Sequence, residues 1–338
     1  MIAMLNDCKL LQNLKVDEKK IFNLLQKNGA MSKNEILLKA KMKLTTLNRI
    51  MNPLEKNGLI VEKCIGESTG GRKPVLYDVN ICRFYILCID ISESCIDISI
   101  VNLRMEIIHK KVFQIEYGTS PNDLIEMIQK SIGSIYVELR LDFIQLAGLG
   151  LAVDTRVLPG VPIKEMLEKK LKCSIVSENR SNSAVVAEYL YGYGKMFSNL
   201  AYFNCGLCIR EGTILQGRVL RTAGNNEYAF EQIISRSRDY INFKSMCIET
   251  KKYNLMPEKT IMNVARTLGT SMNSYVNLLN LNCIILDGCL ASLDLFYNTC
   301  IKYVDGKVVF KRRGYFKDDV VPVGIAALVF ERLVENQI

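Results

Sequence analysis

The sequence predicts an α/β protein in two parts: three helices and a β-hairpin over residues 1–80, then a larger two-lobed body. Three observations predict this. The 338 residues are 49% hydrophobic, the composition of a globular chain long enough for about two or three domains. Apolar residues recur at helical spacing as far as Gly58 and at period two from Phe84 onward. Charge divides at the same place: residues 1–80 carry 14 Lys and Arg against 8 Asp and Glu, six of the nine net positive charges. A basic quarter on a nearly neutral body points to a polyanionic partner for the small part.

Several classes are excluded early. The most apolar runs are broken by Asp90, Asp97 and Asp287, short of the roughly 20 residues a membrane helix needs. Met1–Leu11 carries Asp7 and Lys9 without a basic, apolar and small-residue succession, so no signal peptide is expected and the protein is expected in the cytoplasm. The 12 cysteines are scattered among Ile, Leu and Val, where free Cys behaves as a small hydrophobe. Cys205-Gly-Leu-Cys208 has no second pair nearby, and His109 is the sole histidine, so neither metal nor cofactor is expected.

In the small domain, Asp17 to Asn28 reads as a helix with Ile21, Leu24 and Leu25 on one face and Gly29 ending it. Ser32-Lys-Asn-Glu35 is a capping box opening a second helix to Ala40. Thr45 is expected to cap a third, whose Leu47, Ile50, Met51 and Leu54 fall at i, i+3, i+4 and i+7 before Gly58. Pro53 is expected to kink or end that helix, because it removes the bond to the Arg49 carbonyl. Strands Leu59–Cys64 and Val75–Val79 then flank a glycine-rich tip. Three helices and a hairpin make a winged helix-turn-helix. Its third helix offers Thr45, Thr46, Asn48 and Arg49 to base edges in a major groove, with Lys43 placed for phosphate. The tip carries Ser68, Thr69, Arg72 and Lys73, suited to a backbone or narrow minor groove.

In the body, Tyr85–Ile91, Cys95–Leu103 and Ile107–Ile115 read as consecutive strands. Ser120 and Pro121 start a helix to about Leu139, and Phe143–Val153 is a further buried strand. This β-β-β-α-β order fits the actin-like ATPase architecture of two similar lobes around a cleft. The expected division is 1–80, then a first lobe over 81–179 completed by 322–338, and a second lobe over 180–321.

With these motifs the chain resembles the ROK family of repressors, open reading frames and sugar kinases. Gly70-Gly-Arg-Lys-Pro74 is similar to the family's wing element, and Ser177-Glu-Asn-Arg-Ser-Asn-Ser-Ala-Val-Val-Ala-Glu188 to its E-N-D-A-N helix. Gly148-Leu-Gly150, Ile284-Ile-Leu-Asp-Gly288 and Val323-Gly-Ile-Ala-Ala327 resemble further family strands and the C-terminal helix. The resemblance runs from Asp17 to about Leu333.

The chemistry that the resemblance implies for a kinase is missing. The glycines of the phosphate turn are replaced in Asp90-Ile-Ser-Glu-Ser94, and the second phosphate element keeps one glycine in Asn204-Cys-Gly-Leu-Cys208. Arg180 stands where the family has its catalytic Asp, and a guanidinium cannot take a hydroxyl proton. In Gly224-Asn-Asn-Glu-Tyr228, Asn225 replaces a sugar-gripping carboxylate and Tyr228 a zinc-binding His. The expectation is therefore a DNA-binding transcriptional regulator, a repressor, without kinase activity or catalytic residues. It would act on double-stranded DNA as a homodimer or higher homo-oligomer, with a possible sugar or sugar-phosphate effector near Glu178, Asn179, Arg180, Asn225 and Tyr228. Arg180 would either attract an anionic sugar or pair with Glu178 or Glu188. The competing classes are an active sugar kinase with a DNA-binding appendage and a protein-interaction pseudokinase.

Overall fold

The computed structural model describes residues 8–65, 74–116, 118–154, 156–157, 159–250 and 256–334. The first elements are α1 (Cys8–Gln12), α2 (Val16–Asn28), β1 (Met31–Ser32), α3 (Lys33–Ala40), α4 (Leu44–Lys56), β2 (Ile60–Ile65) and β3 (Val75–Val79). Their boundaries follow local chemistry. The Lys15 amide donates to Glu18 Oε2 at 2.8 Å before α2, and Gly29 closes it at φ +87°. The capping box forms: Ser32 N–H donates to Glu35 Oε2 at 2.7 Å and Glu35 N–H to Ser32 Oγ at 3.3 Å.

Helix α4 departs from expectation at both ends. Its N-cap is Lys43, and Thr45 lies inside the first turn. Lys41 takes a left-handed conformation that ends α3, and the Lys43 carbonyl accepts the Leu47 N–H at 3.0 Å as the first bond of α4, which has no side-chain cap. Nor does Pro53 end the helix, which runs on to Lys56. Proline there forfeits one backbone bond in the last turn, and Asn57 N–H still reaches the Pro53 carbonyl at 3.0 Å. The short β1, which the alternation pattern is too brief to reveal, pairs with β3 in a sheet of order β1-β3-β2.

The body begins with β4 (Tyr85–Ile91), β5 (Cys95–Asn102), β6 (Ile107–Gln114), α5 (Pro121–Leu139), β7 (Leu146–Val153), α6 (Ile163–Leu171) and β8 (Ile175–Asn179). They form a mixed sheet of order β6-β5-β4-β7-β8. The expected strand start at Phe143 is instead a 3-10 turn over Phe143–Gln145, held because Asp142 accepts the amide of Ile144 on Oδ1 and that of Gln145 on its carbonyl. The second half comprises α7 (Arg180–Leu190), β9 (Leu200–Cys205), β10 (Ile209–Leu215), β11 (Arg218–Val219), α8 (Ala229–Ile234), α9 (Arg238–Thr250), α10 (Glu258–Leu279), β12 (Cys283–Asp287), α11 (Asp294–Ile301), β13 (Val309–Arg312) and α12 (Val320–Val334). Its sheet runs β11-β10-β9-β12-β13.

Between the sheets α7 packs along α12, with α7 on β9 and β10 and α12 on β4 and β7. The approach is close enough to require glycine. A Cβ on Gly324 of α12 would stand 1.7 Å from the Ser183 carbonyl oxygen, and one on Gly150 of β7 would stand 2.7 Å from Ile325 Cγ1. Because α12 is surrounded, it is apolar on every side and buried almost throughout.

One hydrophobic core continues from the small domain into the body: Phe22, Leu25, Leu47 and Met51 belong to the same cluster as α12 and α7. Phe22 and Phe330 have ring centroids 6.1 Å apart. Arg104, in the turn after β5, donates to the carbonyls of Leu25 and Gln26 at 3.0 and 2.9 Å and pairs with Asp78. A cation on the last carbonyls of a helix is favourable both as hydrogen bonds and against the helix dipole. Gln26 answers by donating to the Leu103 carbonyl at 3.0 Å. Among the described residues, no helix is long and apolar enough to cross a membrane.

Candidate functional site

Two places gather polar groups. The first is the outer face of α4. Its apolar stripe, Leu47, Ile50, Met51 and Leu54, is turned into the core, which leaves Thr45, Arg49, Asn52 and Lys56 on the opposite side. Lys43, Thr45 and Arg49 are exposed, while Thr46 and Asn48 are half-buried on the flanks. Asn48 Oδ1 accepts from Lys33 Nζ at 3.0 Å, and that ammonium stands 5.0 Å from the centre of the Tyr77 ring. The tip residues Ser68, Thr69, Arg72 and Lys73 lie outside the described residues.

The second place is the cleft between the sheets, where the five effector candidates separate. Glu178, Asn179 and Asn225 meet. Asn179 caps α7 by accepting the Asn182 N–H at 2.7 Å, and donates from Nδ2 to Asn225 Oδ1 at 3.1 Å. Glu178 accepts from Asn225 Nδ2 at 2.7 Å, Asn182 Nδ2 at 3.1 Å and Arg221 Nε at 3.0 Å. These groups border a cavity of about 310 Å³ that also touches Asp154, Pro162 and Lys164.

Arg180 and Tyr228 go elsewhere. Asn179 ends β8 and Arg180 begins α7, so their side chains leave the chain in different directions. Arg180 pairs neither with Glu178, already saturated, nor with Glu188, which accepts the backbone N–H groups of Tyr193 and Tyr315 at 3.1 and 2.6 Å. Its partner is Asp90, gripped bidentately from Nε at 2.7 Å and from a terminal nitrogen at 3.1 Å. Burial opposes the charge on Arg180, but the Asp90 carboxylate more than offsets this and holds the guanidinium above its ordinary pKa. This pair borders a separate cavity of about 330 Å³ with Asp97, Lys110, Arg210 and Asp287. Tyr228 is buried, with its hydroxyl on Asp154 at 2.7 and 2.8 Å, and Arg156 lies 3.5 Å from its ring centre.

Asp154 is a cleft residue that the sequence motifs do not single out. It follows β7, is fully buried, and joins the two halves through Tyr228 and through Arg210, whose guanidinium reaches it at 3.0 Å. Nearby Glu227 is raised in pKa, chiefly by burial, and accepts from the Ser181 amide and hydroxyl at 3.0 and 2.7 Å. An acidic residue ending an apolar strand was the available signal.

Each charged group named there has an internal partner.

Comparison with known proteins bears on the fold. A family model of winged helix-turn-helix DNA-binding domains matches residues 18–61. The solved structure of a ROK family transcriptional regulator, a homolog of the E. coli MLC protein, superposes with a TM-score of 0.69 at 15% identity, covering 94% of this chain and 96% of that one. The chain has the ROK fold behind a winged helix. ROK hexokinase from Thermus thermophilus superposes with a TM-score of 0.53 at 15% identity, covering 72% of this chain and 97% of that one. Among curated sequences, this ROK-fold chain is 25% identical over 210 residues to the xylose repressor of Caldicellulosiruptor bescii, covering 58% of this chain and 53% of that one. It is 22% identical over 220 residues to the xylose repressor of Bacillus subtilis, covering 61% and 57%. The chain thus spans little more than half the length of these curated relatives.

Removing the cation from the cleft gives a direct check on its role. Arg180→Ala leaves the Asp90 carboxylate, only 8% exposed, without its counter-ion. A loss of about 2–3 kcal/mol is expected, below the range for a fully buried pair because Arg180 is 20% exposed. Chemical denaturation with an unchanged slope would show it, and Asp90→Asn in the same background should restore part of the loss.

Proposed function

We propose that the chain is a DNA-binding transcriptional regulator, a repressor, that reads duplex DNA with α4 and does not transfer phosphoryl groups. The observation that carries this reading is the outer face of α4. Lys43, Thr45 and Arg49 are exposed and, among the described residues, spend none of their side-chain polar groups on internal contacts. Polar side chains on a helix of this kind are the groups that reach base edges, and the basic surroundings supply phosphate contacts. Ser68, Thr69, Arg72 and Lys73, read from the sequence, would add contacts to a backbone or minor groove. Likeness to xylose repressors supports a repressor, and the Arg180–Asp90 pair argues against catalysis.

The body, divided as 81–179 with 322–338 and as 180–321, serves assembly and sensing. A homodimer would place two α4 helices on successive half-sites of a near-palindrome. The cavity at Glu178, Asn179 and Asn225 is the place for a carbohydrate effector. The protein acts in the cytoplasm, where its DNA lies.

Electrophoretic mobility shift against DNA from the chain's own upstream region, titrated over salt, tests the reading. Affinity should fall linearly on log–log axes with a slope set by the phosphates contacted, about six or more for two subunits. Absence of binding at low salt would overturn it in favour of a protein partner. Turnover of ATP with a hexose would overturn the non-catalytic body.

A further inference from the structure

Lys33 sits at the first position of α3 and is not on the reading helix, yet it controls a side chain that is. Its ammonium donates to Asn48 at 3.0 Å while standing 5.0 Å from the centre of the Tyr77 ring. An ammonium has only protons to give, so the atom facing it is the amide oxygen. The Asn48 amide is thereby held with its oxygen on Lys33, and one of that oxygen's two lone pairs is engaged. What remains is Nδ2 with two donors, for which no partner exists among the described residues.

This matters because an asparagine reads adenine with both halves of its amide: the oxygen accepts from N6 and the nitrogen donates to N7. We infer that Lys33 is a specificity-determining residue which biases Asn48 from adenine towards guanine: adenine N6 would have to share the amide oxygen with an ammonium, whereas guanine offers the Nδ2 donors and the ammonium two acceptors, N7 and O6. The inference rests on the reading of α4 as the DNA-recognition helix. Lys33 acts by positioning, and Asn48 makes the contact.

Selection of binding sites from a randomised duplex pool, read by sequencing, tests it with the full-length chain. Asn48→Ala identifies the base pair that Asn48 faces, as the position where preference flattens. Wild type is expected to enrich guanine there. Lys33→Met keeps an aliphatic stem near Tyr77 but frees the amide oxygen, and should move the preference at that pair towards adenine by about tenfold. Asn48→Asp keeps the Lys33 contact and removes both donors, so guanine preference should vanish even if Lys33→Met folds poorly. Adenine enrichment by wild type, or an unchanged preference in both variants, would overturn the role of Lys33 while leaving DNA binding intact. Failure of wild type to enrich any sequence would instead overturn the reading of α4, and this inference with it.

Discussion

Gly324→Ala is expected to abolish soluble, folded protein. The added methyl carbon would lie 1.7 Å from the Ser183 carbonyl oxygen, and that oxygen belongs to the backbone of α7 and cannot rotate away. Helices α7 and α12 would have to separate. Separation cannot stay local, because α12 is also pressed onto β7, where a Cβ on Gly148 would already meet Val329 Cγ1 at 2.6 Å. Overpacking in a close-packed core costs typically 1–3 kcal/mol where side chains can shift, and a backbone collision in the central layer should exceed this. A total stability of about 5–15 kcal/mol leaves little room for such a loss. Expression in the soluble fraction and a thermal melt measure the outcome. Gly306, with nothing within 4 Å of its would-be Cβ, provides the matched control, and Gly306→Ala should melt within a few degrees of wild type. A normally folded Gly324→Ala would mean that the two helices are farther apart than the structure has them.

Arg49→Glu carries the second large effect, on binding alone. Arg49 is exposed on the outer face of α4, so the folded state should be nearly indifferent to the change. On DNA the substitution removes a contact to a base or phosphate, worth about 1–3 kcal/mol, and brings a carboxylate to a polyanion. A loss of at least about a hundredfold in operator affinity follows for each subunit engaged. The melting temperature should hold within about 2 °C, since exposed substitutions rarely exceed 0.5 kcal/mol. Titration at constant salt separates the variant from wild type. Equal affinity would remove α4 from the DNA interface.

Legibility in the sequence tracked how local each determinant was. The box at Ser32 and Glu35, the Ser120–Pro121 start of α5 and the glycine after α2 involve residues within three or four positions, and they placed their helices almost to the residue. The strands of the body's first sheet were legible as short runs rich in Ile, Val and Leu, buried almost throughout in β4 and β5, with β6 half-buried to exposed at the sheet's edge. The cleft was only half legible. Arg180 is recognisable as a misplaced cation, but its partner lies 90 residues earlier, and no spacing rule favours Asp90 over Glu178 or Glu188. Asp154 meets Tyr228 across 74 residues and Arg210 across 56, contacts that exist only once the two sheets face each other. The same holds for Lys33 and Asn48, neighbours in space because two short helices cross there.

The shared core under the winged helix has a mechanical consequence. With Arg104 clamped on the end of α2 and Phe22 against Phe330, the reading head has no wrist of its own. A tilt of the body's first sheet with α12 would therefore carry the reading head along with it instead of being taken up at a joint.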